Sequence, residues 1–444
     1  MLNPDRTHLR EGSFWVSPTN FDPEVQAQFT WPQPLTLIDS TLRKMLFTAG
    51  AVTSIDGFVR VAEALGEAGI KEESLNITWG GGPAPISREL ALCRAIAGRD
   101  FGFRLNVYAD TFLSDGQSRQ PVSARESAEM LCDLGVRTLA VGIVPAPSPD
   151  AERRQMDELA AFFELARRLR AEVTVTLANV GRRDFASLVA VSNEAIRLGA
   201  LRLDLMDSTS SLAPEAMKVF VRRYRSRLLQ DVPVTMHVHD DFGLATAGAI
   251  AAATAGASPD VSIAGVSYRG GFASLEEVVV SLEVLYGVDT GIQLDRIQPL
   301  ANLVADEMGV PIHLLKPLIG QSAFLRHMPG DVTGYLEQGA DAFPPVGGCL
   351  NPLVIGSRMT WVWDSLSNDA MAKALAATFG EILTDAEVSA VRAALDSAVE
   401  QTSTFPRWLT PEEATRICRD AISALRREAE QGSGAVANDM RPLL

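Results

Sequence analysis

The chain has 444 residues, 47% of them hydrophobic, and a formal net charge of −15 from 40 basic and 55 acidic side chains. That is enough apolar content for a large core and for more than one structural unit. A sequence pI near 4.9 leaves no basic face to follow a phosphate backbone and no aromatic-plus-arginine module is present, so nucleic acid is excluded as a partner.

The longest apolar stretches, such as 245–257, are alanine-rich and too short to span a membrane, and the start, MLNPDRTHLREG, is charged rather than signal-like. A cytoplasmic protein with no membrane partner is expected. Cys93, Cys132, Cys349 and Cys418 are widely separated and form no C-x-x-C pair, which predicts reduced structural thiols. Cys349 sits in the glycine-rich PPVGGCLNP, with no histidine beside it to activate the thiol.

Residues 1–34 form an arm containing FWVSPTNF and FTWPQP, whose prolines and aromatics suit an extended segment. It is expected either to cover the bottom of the following domain or to reach a partner subunit. From 35 to 291, short aliphatic runs alternate with longer amphipathic stretches, the pattern of repeated βα units around a parallel sheet. The strand candidates are LTLID, SLNITW, FRLNVYA, TLAVGIV, VTVTLA, LRLDLM, VPVTMHVH and VSIAGVS, and the helices between them include GFVRVAEALGEAGI and MDELAAFFELARRLRA. Such repetition over about 250 residues predicts an α/β fold of the TIM (β/α)8 barrel type, with its active site at the C-terminal ends of the strands. Arg43, Lys44, His237 and His239 all fall at such ends.

Residues 292–444 are predicted to be mostly helical, interrupted at 343–352, and TPEEATRICRDAISALRREAEQ opens with a threonine cap and an acidic turn. The tail GSGAVANDMRPLL is expected to be loose. GGGPAP, at 80–85, lacks a P-loop lysine at the right spacing, so a tight turn is expected there rather than a phosphate cradle.

His237 and His239 stand two apart on a predicted strand, so both imidazoles project from one face and can reach one ion. The surrounding TMHVHDDFGLATAGAIAAATAGA, with LIDSTLRK near the start and GVSYRGGFASLEEVVVSLE further on, resembles the DRE-TIM metallolyases. That family contains isopropylmalate, citramalate and homocitrate synthases and 3-hydroxy-3-methylglutaryl-CoA lyase. Lys316, Pro317, Gly320, Ala323 and Phe324 match the junction of the synthases into their C-terminal region, which the lyases lack. The alkylmalate synthase branch is therefore the nearer relative.

The resemblance implies a TIM barrel that condenses an acyl-CoA enolate with a small 2-oxo acid held on a divalent zinc, magnesium or manganese ion. His237 and His239 match the two histidine ligands, Arg43 the arginine that stabilises the developing oxyanion, and Asp39 a supporting carboxylate. Arg182 matches the arginine of the fifth-unit element, Ser208 keeps the hydroxyl of the sixth, and Thr78 falls where the second strand carries a glutamate; these three are candidate substrate contacts. In the C-terminal region, His327 and Asp331 fall on the glutamate and histidine of the synthase motif, an acid/base pair with its order reversed.

The departures concentrate on the metal. Lys44 stands where the family has its acidic ligand, and an ammonium has no lone pair to give a cation. Asp240 replaces an asparagine beside the histidines, and Phe272 replaces the asparagine that completes the metal sphere. Three readings of Lys44 stand: it supplies charge to a substrate oxygen in place of the ion, it acts as a base or forms a Schiff base, or it is salt-bridged to Asp39 or Asp241. The expected activity is a Claisen-type acyltransferase using Arg43 and Lys44 in place of a complete metal site. A carbon–carbon lyase on a related hydroxy acid and a non-catalytic paralogue paired with an intact synthase are the alternatives. A homodimer is expected by resemblance.

Overall fold

Eight short runs pair side by side, each with its neighbour in sequence, and the last pairs back onto the first to close a parallel barrel. The strands are β1 Ile38–Asp39, β2 Glu72–Asn76, β3 Arg104–Leu113, β4 Thr138–Ile143, β5 Glu172–Ala178, β6 Arg202–Asp207, β7 Val234–Val238 and β8 Ser258–Val261. This computed structural model describes residues 6–76, 83–113, 123–339, 342–401 and 408–438. β4 (TLAVGI) is buried along its whole length, as expected of a strand covered on both faces.

The eighth strand differs from its predicted position. It is SPDV, ending at Val261, rather than the VSIAGVS that begins there. Pro259 and Asp260 hide it from any hydrophobic pattern, yet the parallel register sets Asp260 opposite both His237 of β7 and Ile38 of β1. The apolar run after it becomes a 3-10 turn, Ile263–Gly265, and a loop.

Helices follow the strands and shield them. Ile55–Glu67 buries Phe58, Val61, Ala62 and Leu65 at helical spacing. Ala124–Asp133 is closed by a reciprocal capping box between Ser123 and Glu126, an arrangement worth about 1 kcal/mol. The barrel's unit takes in Val16–Ile319, past residue 291, because helix Ile297–Met308 packs back onto it through Arg60–Glu307 (2.8 Å) and the Val52 N–H to Met308 carbonyl bond (3.0 Å). In the arm, the Thr30 N–H donates to Thr254 O (2.8 Å), and Trp31 and Phe29 pack on Tyr286. Residues Thr30 to Pro34 wall a cavity of about 580 Å³ at the N-terminal ends of the strands, so this end of the arm lies at the bottom of the barrel.

The second unit holds Leu9–Trp15 and Gly320–Leu444. Its core gathers Trp363, Met371, Val391, Leu395 and Cys418, with the Trp363 indole N–H donating to Asp396 (3.1 Å). Helix Pro411–Asn438 starts at the predicted cap, where Thr410 and Glu413 exchange hydrogen bonds. It continues through Gly432 and Gly434 to Asn438, so the first part of the tail expected to be loose is helical, and 439–444 lie outside the described residues. Glycine costs about 1 kcal/mol per site in a helix, but an already nucleated helix can extend through it.

Candidate functional site

β1 ends at Asp39 and the chain turns at once into a single helical turn, Thr41–Met45, which presents Arg43 and Lys44 at the mouth of the barrel. Two buried carboxyls hold this turn. Asp39 Oδ1 accepts from the Thr41 N–H (2.8 Å), and Glu73 Oε1, from the register partner of Asp39 on β2, accepts from the Leu42 N–H (2.9 Å). The other oxygens, Asp39 Oδ2 and Glu73 Oε2, have no further donor among the described residues. One proton shared between the two carboxyls satisfies both. Burial pushes the Asp39 pKa up to about 6 and that of Glu73 well above the carboxylate range, so Glu73 carries the proton.

Lys44 is 1% exposed and its Nζ lies 3.2 Å from His237 Nε2. The opposite ring nitrogen, His237 Nδ1, is 2.6 Å from Asp260 Oδ2, while Asp260 Oδ1 accepts from the Ser40 hydroxyl at 2.7 Å. Burial raises the Asp260 pKa to about 6, held from going higher by Ser40 and Lys44, which leaves the carboxylate ionised at neutral pH. It therefore accepts from Nδ1–H, and the lone pair of His237 is on Nε2, facing Lys44.

His239 Nδ1 lies 3.3 Å from Gly271 O, so its lone pair is also on Nε2, 3.4 Å from that of His237. Gly271 has φ 109°, a conformation open to glycine alone, which aims its carbonyl at His239. Burial, then the charge of Lys44, keeps both imidazoles neutral. Burial and Arg43 push the Lys44 pKa well down, and Asp260 opposes them.

Arg43 is 3% exposed and its guanidinium stacks over Tyr108 at 4.3 Å. Its Nε and Nη1 are buried without a hydrogen-bond partner among the described residues. Arg43, Lys44, His237, His239, Tyr108, Tyr268 and Ser208 converge on a cavity of about 120 Å³, floored by Gly142, Thr176, Ala178 and Met206. The cavity under the arm is larger but touches none of these groups, so the smaller one is the candidate site.

Ser208 thus falls where the sequence placed it. Its hydroxyl accepts from the Asn179 N–H (3.2 Å). Arg182 does not: it is exposed in the 3-10 turn Val180–Arg182 and does not line the cavity. The turn buries its neighbour Arg183 instead. Thr78 lies outside the described residues. His327 and Asp331 belong to the second unit; His327 is half-exposed and 3.3 Å from Asp364, and Asp331 lies in the first turn of Pro329–Gln338. The Lys44 salt bridge is corrected too, because Asp39 is engaged with Glu73 and Asp241 pairs with Arg269 (3.2 Å) and Ser210 (2.9 Å).

Sequence reasoning missed Asp260, Glu73 and Tyr108. An aspartate followed by valine, immediately before an aliphatic run, is a weak signal for Asp260. Tyr108 lies on the predicted strand FRLNVYA, where nothing in the local pattern sets it apart from a core aromatic.

The barrel, with its basic and imidazole groups converging on a cavity at the C-terminal ends of the strands, defines a TIM-barrel protein. Residues 34–304 match the HMGL-like family, and the chain belongs to that family. A Methanopyrus kandleri protein named "Putative (R)-citramalate synthase CimA" is 32% identical over 326 residues, 72% of this chain and 62% of that one. 2-Isopropylmalate synthase 2 of Caldanaerobacter subterraneus subsp. tengcongensis is 27% identical over 81% of this chain and 90% of its own length. The 2-phosphonomethylmalate synthase of Streptomyces rubellomurinus is 29% identical over 71% and 82%. The match spans less than two thirds of some relatives, as with the first of these and a Methanoculleus marisnigri protein (64%). The hydroxymethylglutaryl-CoA lyase of Pseudomonas aeruginosa shares the fold, with a TM-score of 0.52 at 18% identity over 64% of this chain and 95% of that one.

The divalent ion that the family implies does not fit the residues present. Among the described residues no three His, Cys, Asp or Glu side chains are grouped to hold an ion. The Nε2 lone pair of His237 meets the Lys44 side chain at the position where the sequence resemblance implies a carboxylate, and the Phe272 ring lies 4.2 Å from that of His237.

Proposed function

We propose that this barrel joins the α-carbon of an acyl-CoA, after loss of its α-proton, to the keto carbon of a small 2-oxo acid, whose oxygen takes up a proton, and that water then cleaves the thioester C–S bond to give free CoA and a 2-hydroxy diacid. The observation that carries the reading is Arg43, whose buried Nε and Nη1 lack partners among the described residues, beside a cavity with no carboxylate among its described lining. A buried unpaired guanidinium is costly until an anion engages it, and its planar fork suits a carboxylate or oxyanion. The synthase names of the relatives support the same chemistry.

In this reading the 2-oxo acid enters with its oxygens towards Arg43 and Lys44. As the enolate attacks, negative charge builds on the keto oxygen, and cationic groups fixed there stabilise it most in the transition state. Tyr108, held through its hydroxyl by Thr176 (2.7 Å), backs the guanidinium and keeps it aimed. The cavity, about 120 Å³, is well below the roughly 300–1,000 Å³ typical of drug-sized ligands. It therefore suits the head of a short 2-oxo acid, with the CoA moiety outside.

Thiol release from acetyl-CoA, measured with pyruvate and with 2-oxo acids of increasing length, tests the reading. Turnover is expected with a short acceptor and should fall at least about 100-fold in Arg43→Gln. No thiol release with any 2-oxo acid would refute it.

A further inference from the structure

Two departures from the family pattern meet in space. Lys44 replaces the acidic ligand and Phe272 replaces the terminal asparagine, and the Lys44 Nζ sits 4.5 Å from the centre of the Phe272 ring. Tyr268 offers a second ring at 5.8 Å. An aromatic face attracts a cation, the more so when water is excluded, and Phe272 is 1% exposed.

On the other side Lys44 meets the Nε2 lone pair of His237, whose tautomer is fixed by Asp260. The two histidine lone pairs converge to 3.4 Å. Two converging lone pairs repel unless a proton donor or cation stands before them. The substitutions are therefore complementary: one brings in a positive group, and the other removes a metal donor and supplies a face for that group.

We propose that Lys44, clamped between His237 and the ring of Phe272, is the built-in cation of this site and takes the place of a divalent ion. Asp260 acts as its positioning residue through His237. Burial and Arg43 press against the charge, while the Asp260 carboxylate, the His237 lone pair and the aromatic rings hold it. The inference deepens the proposed function and rests on that reading for what the cation does to substrate. The site's preference for ammonium over metal can be measured without any turnover.

The experiment is calorimetric titration of the full-length protein with zinc and with manganese, in parallel on wild type, Lys44→Asp and the double variant Lys44→Asp/Phe272→Asn. Wild type is expected to show no binding at micromolar metal. The double variant should bind one ion per chain at least tenfold more tightly than Lys44→Asp, and lose it when His237→Ala is added. One ion per wild-type chain, lost on His237→Ala, would overturn the proposal, and so would a folded double variant that binds no metal, since Lys44 would then not stand in a metal's place. Elemental analysis of wild type after metal loading and desalting repeats the decisive arm without any variant, with one retained ion per chain as the contrary result. A catalytically silent protein with these titrations as expected would count against the proposed function alone.

Discussion

Lys44 Nζ lies 3.2 Å from His237 Nε2, in the direction in which the imidazole offers its only lone pair. The contact is set by the fold: β1 ends one turn before Lys44, β7 carries His237, and Asp260 of β8, placed between them by register, fixes the ring. Its neighbour Arg43 stands over Tyr108 with two donors that have no partner among the described residues. Together they give the strand ends a positive floor made of protein.

Replacing Lys44 by Met keeps the length of the side chain and removes the charge. The His237 Nε2 lone pair loses its donor, and a developing oxyanion loses a fixed cation, an effect worth about 100- to 1,000-fold in rate. Steady-state thiol release should show kcat falling by that order, while the circular dichroism spectrum stays that of wild type.

Asp260→Asn keeps the shape but removes the acceptor that holds the Nδ1 proton. The imidazole is then expected to redistribute between tautomers, and a proton on Nε2 would face Lys44. Nitrogen chemical shifts of the His237 ring should report the change directly, with a loss in kcat larger than any change in KM.

Glu73 is expected to tolerate Gln but not Ala. The amide can still accept from the Leu42 N–H and donate to Asp39, as the protonated carboxyl does. Alanine strands both, at about 1–3 kcal/mol for each buried group left unsatisfied. Urea unfolding of the two variants should separate them by that margin.

The Asp39 carboxyl has its pKa raised by burial from the ordinary 3.8 to about 6. The folded chain therefore binds this proton more tightly than the unfolded chain, and the group's contribution to stability is lost as pH rises from about 4 to about 6. Relative to Asp39→Asn, wild type should lose unfolding free energy across that window and show a constant difference above it. Denaturation midpoints at half-unit pH steps provide the comparison.

Much of the barrel was legible because parallel strands buried on both faces leave aliphatic runs, and helices leave a 3.6-residue period. β8 was not, since its pattern is broken by Pro259 and Asp260 and the stronger aliphatic signal lies just beyond it. The same residue explains what was hidden at the site. His237, His239, Arg43 and Lys44 are adjacent in motifs and could be read, whereas the Asp260 and Glu73 contacts depend on register between strands, which no local pattern states. Arg182 shows the converse: a position aligned by motif faces solvent because the 3-10 turn around it buries Arg183 instead.

The most direct test is thiol release from acetyl-CoA and a short 2-oxo acid by protein stripped with EDTA and assayed in its presence. Turnover equal to that of untreated protein, and no increase on adding excess zinc, manganese or magnesium, is the expected result. Activity abolished by the chelator and restored by one of those ions would contradict the account.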